Sequence, residues 1–173
     1  MGAIVAVAIV VVAARQRPRG AIGSASTGTG SRRLLVIVIE PLEDPGAIRE
    51  VADLASADRG DGGTEVMVLS PVRIGFLDRW ASDVEGARRE AQQRLVISVA
   101  SLAAADVQAE ARVGDEDPVQ AVEDVIGGFP ADEVVLVSAA GEEDEGVSAA
   151  ADELRQRLRA HFRWIRVSGP RAR

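Results

Sequence analysis

"VGDEDPVQAVEDVIGGFPADEVVLVSAAGEEDEG", residues 113–146, decides the fold. Val113 and Gly114 close an extended run. Asp117 and Pro118 then form a helix start, because a short carboxylate accepts a free amide of the first turn and proline's fixed φ suits the first helical position. Val119, Val122, Val125 and Ile126 recur at helical spacing, and Gly127-Gly128 stop the helix. Gln120, three residues after Asp117, has the spacing of a capping box. "EVVLVS" (133–138) is a short, β-branched apolar run without polar alternation, as expected of a strand covered on both faces of a parallel sheet. In many α/β folds such a unit leads into a glycine-rich phosphate loop. Here it leads into Glu142, Glu143, Asp144 and Glu145.

Working outward, strand and helix patterns alternate. "LLVIVI" (34–39) and "EVMVL" (65–69) are two more doubly covered strands. Asp44-Pro45 starts a helix with Ile48, Val51, Ala52 and Ala55 on its stripe. Ser82 and Glu85 have capping-box spacing before a long helix whose stripe runs Val84, Ala87, Ala91, Leu95, Val99, Leu102. "DVQAEARVG" (106–114) alternates, with Val107, Ala109, Ala111 and Val113 on one face, so it reads as an edge strand. Ser148 is the expected cap of a last helix with Val147, Ala151, Leu154 and Leu158 inward. "WIRVS" (164–168) is a final, partly polar strand. The pattern β-α-β-α-β-α-β-α-β predicts an α/β fold, a doubly wound five-stranded parallel sheet. The fully apolar strands belong at the centre and the alternating ones at the edges, which the order 3-2-1-4-5 satisfies. The switch point then lies between the first and fourth strands, and such sheets bind ligands there, at the carboxyl ends.

Composition sets the outer limits. The chain has 173 residues, enough for one domain and a tail. With aromatics at 3%, the core must rest on Val, Leu, Ile and Ala. There is no Cys, so disulfides, thiolate metal sites and a Cys nucleophile are excluded. All 20 basic residues are Arg, which also excludes a catalytic or phosphate-binding lysine. Residues 1–33 hold five Arg and no acid, whereas residues 34–173 hold 15 Arg against 27 acids. The folded part should therefore repel nucleic acid.

The basic end is a separate module. "GAIVAVAIVVVAA" (2–14) is uninterrupted and apolar, and Arg15, Arg17 and Arg19 follow it. Three readings compete. A secretory signal would need its positive charges first, and a core strand fits poorly beside an Arg cluster. A short membrane anchor fits best, although a 13-residue helix spans roughly 20 Å of a roughly 30 Å hydrocarbon core. The arginines would place the carboxyl-terminal side in the cytoplasm. The expected organisation is an anchor with basic flank at 1–19, a flexible Gly/Ser/Thr linker at 20–32, an α/β domain at 33–168 and a tail at 169–173. The corresponding location is the cell membrane, single-pass, with the bilayer contacted through residues 2–14.

The layout, with "GDEDPVQAVEDVIGGFPADEVVLVS", resembles the universal stress protein family over residues 33–168. More narrowly, that segment and "RWASDVEGARREAQQRL" resemble small actinobacterial membrane-anchored proteins with a universal-stress-like domain. The resemblance implies a crevice at Glu40, Pro41, Gly114, Asp115, Ser138, Ala139 and Gly141. Nucleotide-binding members carry Val-Asp-x-Ser at the end of the first strand, where this chain reads Val38-Ile39-Glu40-Pro41. They also carry Gly-x2-Gly-x9-Gly-Ser/Thr after the fourth. Here Gly141 is followed by Asp144 where the second glycine would fall, and no Gly-Ser/Thr pair closes the loop. Close backbone approach is lost, and acids stand where phosphates would lie.

The remaining candidates have plain explanations. Glu142 to Glu145 lack the alternating spacing of a calcium loop and read as an exposed acidic loop. Asp115, Glu116 and Asp117 resemble a metal cluster, but capping accounts for Asp117. His161 reads as the end of an arginine-rich helix, and Trp80 and Trp164 as packing anchors. Nothing pairs a nucleophile with a base. The expectation is a membrane-tethered regulatory or interaction module, not an enzyme, without metal or cofactor, with an unknown protein partner or a homodimer. The alternative is a stress sensor that binds ATP or AMP.

Overall fold

The structure is a computed structural model that describes residues 20–23, 31–57, 63–72, 84–140 and 145–168. Its elements are β1 (Arg32–Val38), α1 (Pro45–Ser56), β2 (Thr64–Pro71), α2 (Val84–Ala103), β3 (Glu110–Gly114), α3 (Pro118–Ile126), β4 (Glu133–Ala140), α4 (Glu145–Arg157) and β5 (His161–Ser168). The five strands form one sheet in the order β3-β2-β1-β4-β5, and every pair is parallel. Topology and direction follow the hydrophobic pattern, because a strand without polar alternation has no face to give to water.

The two-residue period of β1 divides the core. Leu35 and Ile37, with Leu136 of β4, pack toward α3 and α4. Leu34, Val36 and Val38 pack with Val135 and Val137 toward α1 and α2. Each is fully buried, worth about 2 kcal/mol per side chain in apolar area removed from water. The helices start where the Asp-Pro pairs place them. Asp44 accepts from the Ala47 amide at 2.8 Å, and Asp117 from the Val119 amide at 2.9 Å.

Several expectations need correction. Gln120 does not complete a capping box: its amide donates to Asp124, one turn on, at 2.8 Å. Ser148 is not the cap of α4, which already starts at Glu145. A cap at Ser148 would start the helix at residue 149, four residues later than it does. His161 does not end that helix. It opens β5, paired with Glu133, and its amide donates to the Asp132 carbonyl at 3.0 Å. β5 therefore runs from His161, three residues before Trp164. The edge strand is shorter than its alternating pattern: β3 begins at Glu110, so Val107, though buried, lies in the connection before it, and Ala111 within it is exposed.

Residues 20–23 do not behave as the start of a linker. Ile22 is 3% exposed and bridges Leu158 in parallel. Its amide donates to the Arg157 carbonyl at 2.8 Å, its carbonyl accepts from Arg159 at 3.1 Å, and the Arg157 Nε donates to the Gly20 carbonyl at 2.9 Å. One branched side chain, two backbone–backbone bonds and one bond from the Arg157 side chain order a segment whose composition alone lacks the apolar area to do so. The anchor at 1–19, the Ser82 cap, Trp80, the loop residues 141–144 and the tail at 169–173 lie outside the described residues. Among the described residues no helix is long and apolar enough to cross a membrane.

Candidate functional site

The crevice expected at the switch point is formed where β1 and β4 part. The Ile39 amide still donates to the Val137 carbonyl at 2.9 Å, after which the chain leaves the sheet through Glu40 and Pro41, both half-buried. Helix α2 fixes this exit. The Leu42 amide donates to the buried Ser98 Oγ at 3.0 Å. Arg94 donates through its two terminal nitrogens to the carbonyls of Ile39 and Pro71, both at 2.9 Å. Its planar fork therefore ties the end of β1 to the end of β2. These are the backbone acceptors that a ligand lying across the sheet's carboxyl edge would meet first.

The other predicted residues stand around the same edge. Gly114 ends β3, and a Cβ there would lie 2.6 Å from the Ala121 Cβ and 3.0 Å from the Leu69 Cδ1. Its missing side chain lets α3 pack on the sheet. The Asp115 carbonyl accepts from Val72 at 3.2 Å, and its carboxylate accepts from the Asp117 amide at 3.0 Å, so it shapes the turn into α3. Ser138 is buried, and its hydroxyl accepts from the Trp164 indole at 2.9 Å. Trp164 is thereby a packing anchor with a satisfied N–H, and Arg166 lies over its ring at 4.4 Å. Ala139 and Ala140 are exposed, paired with Val167 and Ser168. Gly141 lies outside the described residues. Glu40, Glu43, Asp44, Asp115, Glu116 and Asp117 make the described part of this rim acidic.

Arg94 and Ser98 were not singled out by sequence reasoning. The signal was present: Ser98 falls between Leu95 and Leu102 on the inward stripe, where the helical period calls for an apolar residue, and Arg94 flanks it one turn earlier. Ser98 is fully buried, whereas Val99, assigned to the stripe from sequence, is half-buried. Among the described residues no three metal-ligating side chains gather. A cavity of about 320 Å³ lies instead at the opposite, amino-terminal edge of the sheet, lined by Thr64, Glu65, Val66, Gln108, Glu110 and Phe129 among others.

A parallel sheet of order 3-2-1-4-5 with two helices on each face defines a class of α/β proteins. No family model and no curated protein matches the chain. Solved structures do. A universal stress protein in complex with cAMP superposes with a TM-score of 0.50 at 15% identity, over 81% of this chain and 100% of that one. One from Archaeoglobus fulgidus gives 0.55 at 14% identity, over 79% and 95%. A member of the same family from Burkholderia pseudomallei gives 0.53 at 15%, over 78% and 96%. The chain thus has the fold of the universal stress proteins.

Proposed function

We propose that this chain is a universal-stress-like regulatory or interaction module that acts by binding rather than catalysis. It is tethered to the inner face of the cell membrane through residues 2–14, and its crevice is closed to triphosphates. One observation carries the reading. Four polar groups at the crevice each already accept a bond from within the fold: the Ile39 and Pro71 carbonyls from Arg94, the Ser138 hydroxyl from Trp164, and the Asp115 carboxylate from the start of α3. The acids at 142–145 add repulsion. Two unit charges about 4 Å apart at an effective dielectric of 20 oppose each other by about 4 kcal/mol. With the crevice occupied in this way, the partner is a protein, a second copy of this chain included, and not a nucleic acid.

The second reading, a sensor of ATP or AMP, is favoured by one fact: a structural neighbour is a complex with cAMP. Calorimetry of the full chain in detergent micelles with Mg-ATP, AMP and cAMP separates the two. The expected result is weak or absent binding of Mg-ATP that strengthens when Glu142, Glu143, Asp144 and Glu145 are changed to Ser. Micromolar binding by the unchanged chain, lost on substitution of Ser138 or Gly141, overturns the proposal in favour of the sensor.

A further inference from the structure

The strands are parallel, so the sheet has an amino-terminal pole, where β1, β2, β4 and β5 begin, and a carboxyl-terminal pole that carries the crevice. Ile22 docks at the former. It bridges Leu158, three residues before β5 begins, and its amide and carbonyl are bonded to Arg157 and Arg159. Arg157 is the hub of this contact. Its guanidinium holds the Gly20 carbonyl while pairing with Glu123 of α3 and with Glu153 of α4 at 2.5 Å.

We infer that this latch turns the amino-terminal pole toward the lipid surface and the crevice away from it. The inference rests on the proposed anchor at residues 2–14. With Ile22 docked, the tether between Ala14 and Gly20 is residues 15–19, six steps that span at most about 22 Å when fully extended. Undocked, the free chain would run to Ser31, residues 15–31, with a reach of about 60 Å. β4 alone, at 8 residues, separates the two poles by about 26 Å. The docked tether is shorter than that separation, so the domain cannot turn over against the bilayer. The tether sequence holds three arginines, Arg15, Arg17 and Arg19, and no acid, a charge that an anionic leaflet would attract. The partner surface is thus the anionic lipid headgroup layer, and the crevice is presented to soluble partners.

The absence of Cys makes the test direct. Ala104→Cys labels an exposed site where α2 leads into β3, near the amino-terminal pole, and Ala140→Cys labels the exposed crevice rim. Each full-length variant carries a fluorophore and is reconstituted into phosphatidylcholine/phosphatidylglycerol vesicles doped with a headgroup-quencher lipid. The expected result is quenching severalfold greater at position 104 than at 140. Inserting about twelve Gly/Ser residues between Arg19 and Gly20 leaves every contact of the domain in place and should make the two labels equal. A chain that floats with the vesicles but quenches both labels equally, or 140 more strongly, overturns the inference alone. So does a difference that survives the insertion. A chain that does not float with the vesicles overturns the anchor reading and the inference with it.

Discussion

The two poles of the sheet are built by different means. At the amino-terminal pole, long side chains tie strands together through charge. Glu133 of β4, 5% exposed, accepts from Arg32 of β1 at 2.5 Å and from Arg163 of β5 at 3.2 Å, and Arg163 reaches on to Glu50 of α1 at 3.1 Å. The bonds to Glu50 and then to Glu133 stabilise the guanidinium and raise the already high pKa of Arg163. At the carboxyl-terminal pole, short side chains cap helices, and Arg94 binds carbonyls rather than a carboxylate. The difference teaches where the fold places its fixed charge. In the Glu133 network two arginines meet two carboxylates, whereas the described crevice rim keeps an acidic excess that disfavours anionic ligands.

Breaking the amino-terminal pole should have the largest effect. Glu133→Ala leaves Arg32 and Arg163 facing a buried gap. Both are partly solvated, so the loss should be about 2–3 kcal/mol, read as a shift of the urea midpoint at unchanged slope. A loss below that of a helix cap would show that the network contributes no more than a surface pair.

Gly114→Ala tests the other pole. The new Cβ meets Ala121 and Leu69 inside contact distance, and α3 must shift, at about 1–3 kcal/mol. An unchanged melting temperature would mean that α3 rests loosely on β3 and would reopen Gly114 as a site of ligand approach. Asp117→Ala removes one cap and should cost about 1 kcal/mol by the same measurement. If it matches Glu133→Ala, the contrast between the poles disappears.

The smallest effect concerns pH. Hydrogen bonds from Ser31 and then from Arg33 hold the Glu65 carboxyl below the usual carboxylate range. A depressed acid contributes stability that is fully present above its unfolded value of about 4.3 and is lost as pH falls through the lower folded value. Glu65 is exposed, so water screens the pair and the contribution is slight. Comparing Glu65→Gln with the unchanged chain by thermal melts, the small difference seen near neutral pH should vanish at acid pH. A gap that persists there assigns the effect to packing.

The sequence by itself determined the order and direction of the strands, the two helix starts at Asp44-Pro45 and Asp117-Pro118, and the burial of Val36, Val38, Val135 and Val137. These are legible because each depends on residues a few positions apart: a capping bond spans one turn, and a covered strand shows its burial as an unbroken apolar run. The candidate site was legible only as a place. Gly114, Asp115 and Ser138 do stand at the carboxyl edge, but what engages them, from α3, the chain two residues on and β5, is set by packing. Only the tertiary structure decided that Arg94 takes two strand-end carbonyls 55 and 23 residues away, and that Glu133 meets Arg32 across 101. It also decided that a small-residue segment docks through Ile22 on a helix end whose arginine bonds back to Gly20 across 137 residues. Periodicity reports which face of an element is buried, but it does not say which distant polar group waits there, because that follows from where the sheet places each element and not from the element's own pattern.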